Sequence, residues 1–259
     1  MSEYTPRLGS PSTGVIVTGG ASGLGRASAE ALAAVGRPVS LWDLDGDKAA
    51  TVAEEIAKAH GAPTHGLAVD VRNPAALEAG VEAARKALPS IGALVHAAGI
   101  VDTDSLDGLT PESFDDGINV HLRPLALLSK ALLPDLAAHS GSAIVTFSSI
   151  NATLGNAMNP IYSAGKGGAL SMMRALADRL AQDGIRINAI SPGQIRTPMM
   201  SPALEALGES SFTQRILMER VGEPAEVGRV VRFLLSDEAS YVTASEFVVD
   251  GGNVSSQRM

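Results

Sequence analysis

From Gly14 onward a short run of Val, Ile and Leu is followed, again and again, by an Ala-rich segment of helical period. This alternation constrains the fold more than any single motif, because strands separated by helices read as βαβ units of a parallel sheet. The expected strands are Val15–Thr18, Val39–Trp42, Gly66–Val69, Ala93–Ala97, Ala143–Phe147, Arg186–Ile190 and Glu246–Val249. Most are continuous apolar runs, as befits strands buried on both faces. They predict an α/β fold: a seven-stranded, doubly wound parallel sheet flanked by helices.

Helix punctuation fits the segments between these runs. Gly36 ends the first helix, and Asn73-Pro74 and Thr110-Pro111 each pair an N-cap with Pro at the first helical position. Pro124 falls inside the helical pattern Phe114–Leu133, where a missing donor and a ring clash predict a kink. The stretch Gln194–Arg220 breaks the rhythm and carries Met199, Met200, Leu204, Leu207, Phe212 and Ile216. An insertion at that end of an α/β sheet reads as a substrate lid near residues 194–220.

At 259 residues with no break in composition, one domain over residues 13–259 is expected, preceded by a flexible segment of residues 1–12. A hydrophobic content of 45% against 19% charged residues supplies a sizeable core and argues against disorder. The formal net charge of −8, with no basic cluster, argues against nucleic acid as a partner. The lack of Cys excludes disulfides, thiolate metal sites and Cys nucleophiles, and fits a cytoplasmic protein. No apolar run suggests a signal peptide, lipid anchor or membrane span.

The first strand runs directly into Gly19-Gly20-Ala21-Ser22-Gly23-Leu24-Gly25 and then a helix. Glycines let the backbone approach a pyrophosphate, and free amides at a helix start stabilise its charge. One βα unit later Asp43 closes the second strand, where a carboxylate can accept hydrogen bonds from an adenosine ribose diol and repel a 2′-phosphate. That favours NAD as cofactor over NADP. The plainer reading makes Asp43 the start of a turn with Asp45, Gly46 and Asp47.

A second constellation is Ser148-Ser149 at the end of the fifth strand, then Tyr162, with Lys166 four residues beyond on the same helix face. A phenol is a poor base at neutral pH, but an ammonium nearby favours the phenolate. Ser149 can bind a carbonyl or alcohol oxygen while Tyr162 moves the proton. Taken alone, the Tyr-x-x-x-Lys spacing also describes a solvated Lys beside a half-buried Tyr.

Together these residues resemble the short-chain dehydrogenase/reductase family over about Gly14 to Gly252. Thr18, Gly19, Gly23, Leu24 and Gly25 meet its Thr-Gly-x-x-x-Gly-x-Gly motif, and Tyr162 and Lys166 its Tyr-x-x-x-Lys. The resemblance implies a Rossmann-like fold and a catalytic set of Asn119, Ser149, Tyr162 and Lys166, with Asn119 holding a water towards Lys166. It further implies that Asp70 and Val71 contact adenine, and that Pro192, Gly193, Ile195 and Thr197 belong to the loop that binds the nicotinamide amide. Val249-Asp250-Gly251-Gly252 resembles the family's last strand and its exit. Ser22 stands where NADP-preferring relatives place Arg or Lys.

Two departures stand out. His96-Ala97-Ala98-Gly99 replaces the usual Asn-Ala-(Ala/Gly)-Gly, so His96 either keeps a backbone contact to the adenosine ribose or is a core His satisfied by a neighbouring strand. Gly165 replaces a common Ser before Lys166, with Gly167 and Gly168 following. Small residues on that helix suggest packing against another subunit, hence a homo-oligomer, a tetramer or else a dimer; the plain alternative is internal packing. His60, His65, His121 and His139 show no metal-ligand spacing and read as surface or capping residues. Trp42, beside Asp43, is expected near the adenosine.

The resulting expectation is an NAD-dependent oxidoreductase interconverting a small-molecule secondary alcohol and a ketone, with no metal. The alternatives are a 3-oxoacyl-carrier-protein reductase using NADPH and a non-catalytic NAD-binding protein.

Overall fold

The computed structural model describes residues 4–255. Seven strands, β1 (Gly14–Thr18), β2 (Val39–Asp43), β3 (Thr64–Ala68), β4 (Ile91–His96), β5 (Ala143–Phe147), β6 (Arg186–Pro192) and β7 (Glu246–Val249), form one sheet in the order β3-β2-β1-β4-β5-β6-β7. Every pairing is parallel. The order reverses direction between β1 and β4, which makes the crevice beyond their C-terminal ends the place where ligands bind in such sheets.

The helices in chain order are α1 (Gly23–Ala33), α2 (Gly46–His60), α3 (Pro74–Ala87), α4 (Pro111–His121), α5 (Arg123–Ala131), α6 (Leu133–Ala137), α7 (Asn151–Leu154), α8 (Pro160–Ala181), α9 (Ser201–Leu207), α10 (Ser210–Thr213) and α11 (Pro224–Leu234). Successive strand residues point to opposite faces, so one sheet buries two cores. Val15 and Val17 join Val95 and Val145 against α1, α2 and α11. Ile16 joins Leu94 and Ile144 against α3, α5 and α8.

The N-caps work as expected. The Asn73 side chain accepts from the amides of Ala75 and Ala76, and that of Thr110 from the amide of Ser113. Gly36 lies at φ 82°, just past the end of α1. Pro124 does more than kink its helix: α4 stops at His121 and α5 restarts at Arg123, with Leu122 between them at φ −111°, ψ −52°.

The third strand starts earlier than its apolar run, at Thr64. It is an edge strand with only β2 as neighbour, so it lacks the continuous apolar signature of a strand paired on both sides. Trp42 is a correction of another kind. It is fully buried in the α3 side of the core, its Nε1 donating to Ser40 Oγ at 3.0 Å, and it packs on Gly80 of α3 rather than facing a ligand edge. Residues 194–220 leave the sheet as an excursion holding α9 and α10, neither of which has a buried residue.

Candidate active site

The turn between β1 and α1 is shaped by its glycines. Gly19 and Gly23 have φ of 65° and 51°, a region L-residues rarely adopt. A Cβ on Gly25 would fall 2.0 Å from the Gly19 carbonyl oxygen, so only Gly lets the helix start this close to the turn. Ser22 is the N-cap of α1 but makes no side-chain capping bond, and the first turn of α1 has no acidic residue. The amides there and the positive end of the helix are thus left to an anion, which fits the pyrophosphate of a dinucleotide.

Asp43, at the end of β2, braces this turn. Its Oδ2 accepts from Ala21 N at 3.0 Å and its Oδ1 from Asp45 N at 3.3 Å. Both bonds belong to the turn reading of this carboxylate. Thr197 reaches Gly23 from the other side, its Cβ 3.6 Å from where a Gly23 Cβ would lie. It follows the Pro192–Gly193 exit of β6 and the half-turn in which Ile195 bridges to Gly222, so the loop predicted to close over a nicotinamide does border the Gly-rich turn. The Asp70 carboxylate is held by Arg72, which donates from its backbone N at 2.9 Å, Nε at 3.0 Å and Nη2 at 2.9 Å. These bonds lower the pKa of Asp70. Val71 beside it is buried.

At the end of β4, Thr18 Oγ1 accepts from the amides of Ala97 and Ala98, both at 3.2 Å, and lies 2.9 Å from His96 Nδ1. With its two lone pairs taken by these amides, the hydroxyl can only donate to Nδ1, so the His96 proton sits on Nε2, which has no hydrogen-bond partner among the described residues. Burial, with Lys166 nearby, pushes His96 down to about 4. Of the two readings left open for His96, the core His bonded across to a neighbouring strand is the one its side chain shows.

Three of the four catalytic candidates, Ser149, Tyr162 and Lys166, meet beyond β5. Lys166 is buried and donates from Nζ to the Phe147 carbonyl at 2.9 Å, while Ser148 Oγ donates to the Lys166 carbonyl at 3.0 Å. These two bonds fasten α8 to the strand that delivers Ser149. Ser149 Oγ accepts from Asn151 N at 3.1 Å, which leaves its proton to face the Tyr162 hydroxyl. Lys166 Nζ lies 5.6 Å from the centroid of the Tyr162 ring. Asn119, on α4, is half-buried two residues before His121.

The electrostatics differ from those the Tyr–Lys spacing suggests. Burial raises the pKa of Tyr162, and a hydrogen bond with Ser149 opposes the rise. Burial also lowers Lys166 to about 8. Both groups are pushed towards their neutral forms because the site is shielded from water. Before any ligand contributes, Tyr162 is therefore an acid at neutral pH.

Two residues that the sequence reading leaves outside the site border it. Asp102, on the loop after β4, accepts from Ile161 N at 3.1 Å and Tyr162 N at 2.8 Å, and its carbonyl accepts from Asn159 Nδ2. Asn159 itself makes no side-chain capping bond, so Asp102 caps α8 from a distance and fixes the turn that bears Tyr162. His121, expected at the surface, is buried edge-on to Tyr162 at 5.5 Å between ring centroids. A Cβ on Gly165 would lie 3.0 Å from His121 Cδ2, one on Gly168 2.9 Å from Leu122, and one on Gly117 2.3 Å from Ile161. The small residues at 165 and 168 thus serve packing of α4 on α8 within one chain, which removes them as a reason for subunit contact; only Gly167 faces open space.

Among the described residues, no group of three His, Cys, Asp or Glu is placed to hold a metal ion, and no helix is long and apolar enough to cross a membrane.

Known proteins place this geometry in context. A family model described as enoyl-(acyl carrier protein) reductase matches residues 19–253. A probable galactose dehydrogenase of Rhizobium meliloti (strain 1021) is 34% identical over 240 residues, 92% of this chain and 94% of that one. The 3-oxoacyl-[acyl-carrier-protein] reductase of Escherichia coli (strain K12) is 33% identical over 237 residues, covering 92% and 95%. The crystal structure of L-sorbose reductase from Gluconobacter frateurii, complexed with NADPH and L-sorbose, superposes with a TM-score of 0.90 at 27% identity, covering 96% of this chain and 99% of that one. With the Gly-rich turn, Ser149, Tyr162 and Lys166 where they stand, the chain belongs to the short-chain dehydrogenase/reductase family of oxidoreductases.

Proposed function

We propose that the chain interconverts a secondary alcohol and a ketone with NAD as the redox partner. The observation that carries this reading is the meeting of Ser149, Tyr162 and Lys166 beyond β5, on the side of the sheet where the uncapped start of α1 lies. A dinucleotide bound at Gly19–Gly25 would be held by the amides of that turn and by Thr197, and when bound it supplies or accepts the hydride.

In reduction, Tyr162 gives its proton to the substrate oxygen while Ser149 donates a hydrogen bond to the same oxygen. The Lys166 ammonium then stabilises the phenolate that remains. In oxidation the same proton returns to Tyr162. Because burial raises the pKa of Tyr162, reduction is favoured at neutral pH, and oxidation accelerates as rising pH populates the phenolate.

Asp43 and the absence of a basic residue at Ser22 support NAD over NADP: a carboxylate braced against the turn would repel a 2′-phosphate. Arg26, the nearest basic residue in sequence, is paired with Glu30 and Glu55. For the substrate, Leu154 and Met158 beside the site and Met199 and Leu207 on the 194–220 excursion expose apolar surface, with the amides of Asn151 and Asn156 among them. Cyclic or medium-chain alcohols fit such a mouth. The galactose and sorbose named for two similar proteins add sugars to the substrates to try.

Similarity to 3-oxoacyl-[acyl-carrier-protein] reductases supports a second reading, reduction of a 3-oxoacyl group with NADPH. The net charge of −8 opposes it, since the carrier protein is itself acidic. A cytoplasmic homo-oligomer, tetramer or dimer, remains part of the proposal and is checked by sedimentation against the 26.5 kDa chain mass.

The deciding experiment is a panel of sugars, cyclic and medium-chain alcohols with their ketones, and a 3-oxoacyl thioester, run with NAD and NADP forms in parallel. The expected result is turnover of an alcohol or ketone with higher kcat/KM for the NAD form. Preference for the thioester with NADPH would establish the second reading, and dinucleotide binding without turnover would overturn both.

A further inference from the structure

His121 is an imidazole with one nitrogen spoken for and the other not. Its Nε2 lies 2.9 Å from the Ile100 carbonyl oxygen, which can only accept, so the proton sits on Nε2 and Nδ1 carries a bare lone pair. The residue is 2% exposed, and Nδ1 has no hydrogen-bond partner among the described residues. A buried acceptor of this kind costs free energy unless a donor meets it.

The location identifies the donor. A Cβ on Gly99 would lie 3.5 Å from His121 Nδ1 and 3.6 Å from Lys166 Nζ, so both nitrogens border the same small space beside Gly99. The Lys166 ammonium has three N–H groups, of which one is used on the Phe147 carbonyl. The two glycines at which this chain is most closely fitted around the ring, Gly99 and Gly165, would each place a Cβ 3.0 Å from it. The chain is therefore carved to admit an imidazole at this point.

We infer that His121 is a positioning residue of the proton-transfer machinery: its Nδ1 accepts a hydrogen bond relayed through one water from the Lys166 ammonium, and thereby holds Lys166 charged and aimed at Tyr162. The inference rests on the reading of Tyr162 as the proton-transfer group. The charged and titratable groups that face His121 are Lys166 and Tyr162 from α8 and His96 from β4. Burial and the Lys166 charge push the imidazole down to about 2, so it stays a neutral acceptor across the working range. An acceptor for the ammonium favours its charged form, and a charged Lys166 in turn favours the Tyr162 phenolate.

Two measurements test this, and neither requires turnover, so a failed function assignment would not mask them. In protein labelled with 15N at its histidine rings, the His121 Nδ1 resonance, assigned by its loss in a variant, is expected at the shielded position of a hydrogen-bonded acceptor. A free-acceptor position, or a proton on Nδ1, overturns the inference. Phenolate formation at Tyr162 is then followed by ultraviolet absorbance against Tyr162→Phe. His121→Phe, which keeps a flat ring but removes the acceptor, is expected to raise the titration of Tyr162 by about half to one pH unit. His121→Asn, which keeps an acceptor near Nδ1, is expected to shift it less. An unchanged titration in His121→Phe, or an equal shift in both variants, overturns the inference. Should His121→Phe fail to fold, the ring resonance of the parent protein, assigned with His121→Asn, decides alone.

Discussion

The start of α1 and the start of α8 use the same physical object in opposite ways. Both are helix N-termini with unsatisfied amides and a partial positive charge. At α1 the cap residue Ser22 makes no side-chain bond and no acid sits in the first turn, so the end is left open to a ligand anion. At α8 the protein closes the end itself: Asp102 arrives from the loop after β4 and takes the amides of Ile161 and Tyr162. On the proposed function the open end binds the dinucleotide, and the closed end holds a side chain still. A helix terminus next to an active site is therefore defined by what, if anything, in the chain already occupies it.

This contrast orders the expected effects. The largest belongs to the group that the closed end positions. Tyr162→Phe should lower kcat by about 10²- to 10⁴-fold, the range of general acid–base catalysis, while dinucleotide affinity measured by NADH fluorescence changes little. The parent enzyme should also oxidise alcohols faster as pH rises through the alkaline range, because the raised pKa of Tyr162 leaves little phenolate at neutrality. A rate of oxidation that is flat with pH would contradict the assignment of Tyr162 as base.

Opening the closed end comes next. Asp102→Ala removes the carboxylate from two amides of α8 and should cost about 1–2 kcal/mol of stability in denaturant titration, as loss of a cap does. It should also lower kcat by roughly tenfold as Tyr162 loses its fixed turn. A loss of stability with kcat intact would show that Asp102 supports the helix but not the catalytic geometry.

Closing the open end is the smallest of the three. Ser22→Asp places a carboxylate at the start of α1, which should stabilise the unliganded protein by about 0.5 kcal/mol. It should also weaken the dinucleotide by roughly tenfold through repulsion of the pyrophosphate, with kcat at saturation falling far less than in Asp102→Ala. Equal weakening in both variants would erase the distinction between the two ends.

The same contrast explains what could be read from the residues alone. The open end is a local device: a strand, glycines at fixed offsets and a helix, all contiguous from Gly14 to Ala33, so its order in the sequence is its order in space. The alternation of apolar runs likewise finds all seven strands and misses only at their ends: β3 and β4 each begin two residues earlier than their apolar runs and β6 ends two residues later, and at β3 an edge position does not require apolar residues. The closed end is not local. Asp102 and Ile161 lie 59 residues apart, in an otherwise unmarked loop, and no spacing rule links a carboxylate to amides that far along the chain. The pairing of His121 with Gly165 escaped for a related reason. The sequence reads one as a surface or capping His and the other as a small residue for subunit packing, but volume exchange between two helices is visible only once they are packed. Trp42 shows the reverse hazard: adjacency to Asp43 in sequence put it on the opposite side of the strand, because neighbouring strand residues face opposite ways.

The division of labour between the two helix ends is tested most directly by a crystal structure with NAD bound. The account predicts the pyrophosphate against the amides of the Gly19–Gly25 turn at the start of α1, the nicotinamide end on the Tyr162 side, and Asp102 still on the amides of Ile161 and Tyr162. A pyrophosphate lodged away from α1, or Asp102 displaced from α8 by the ligand, would contradict it.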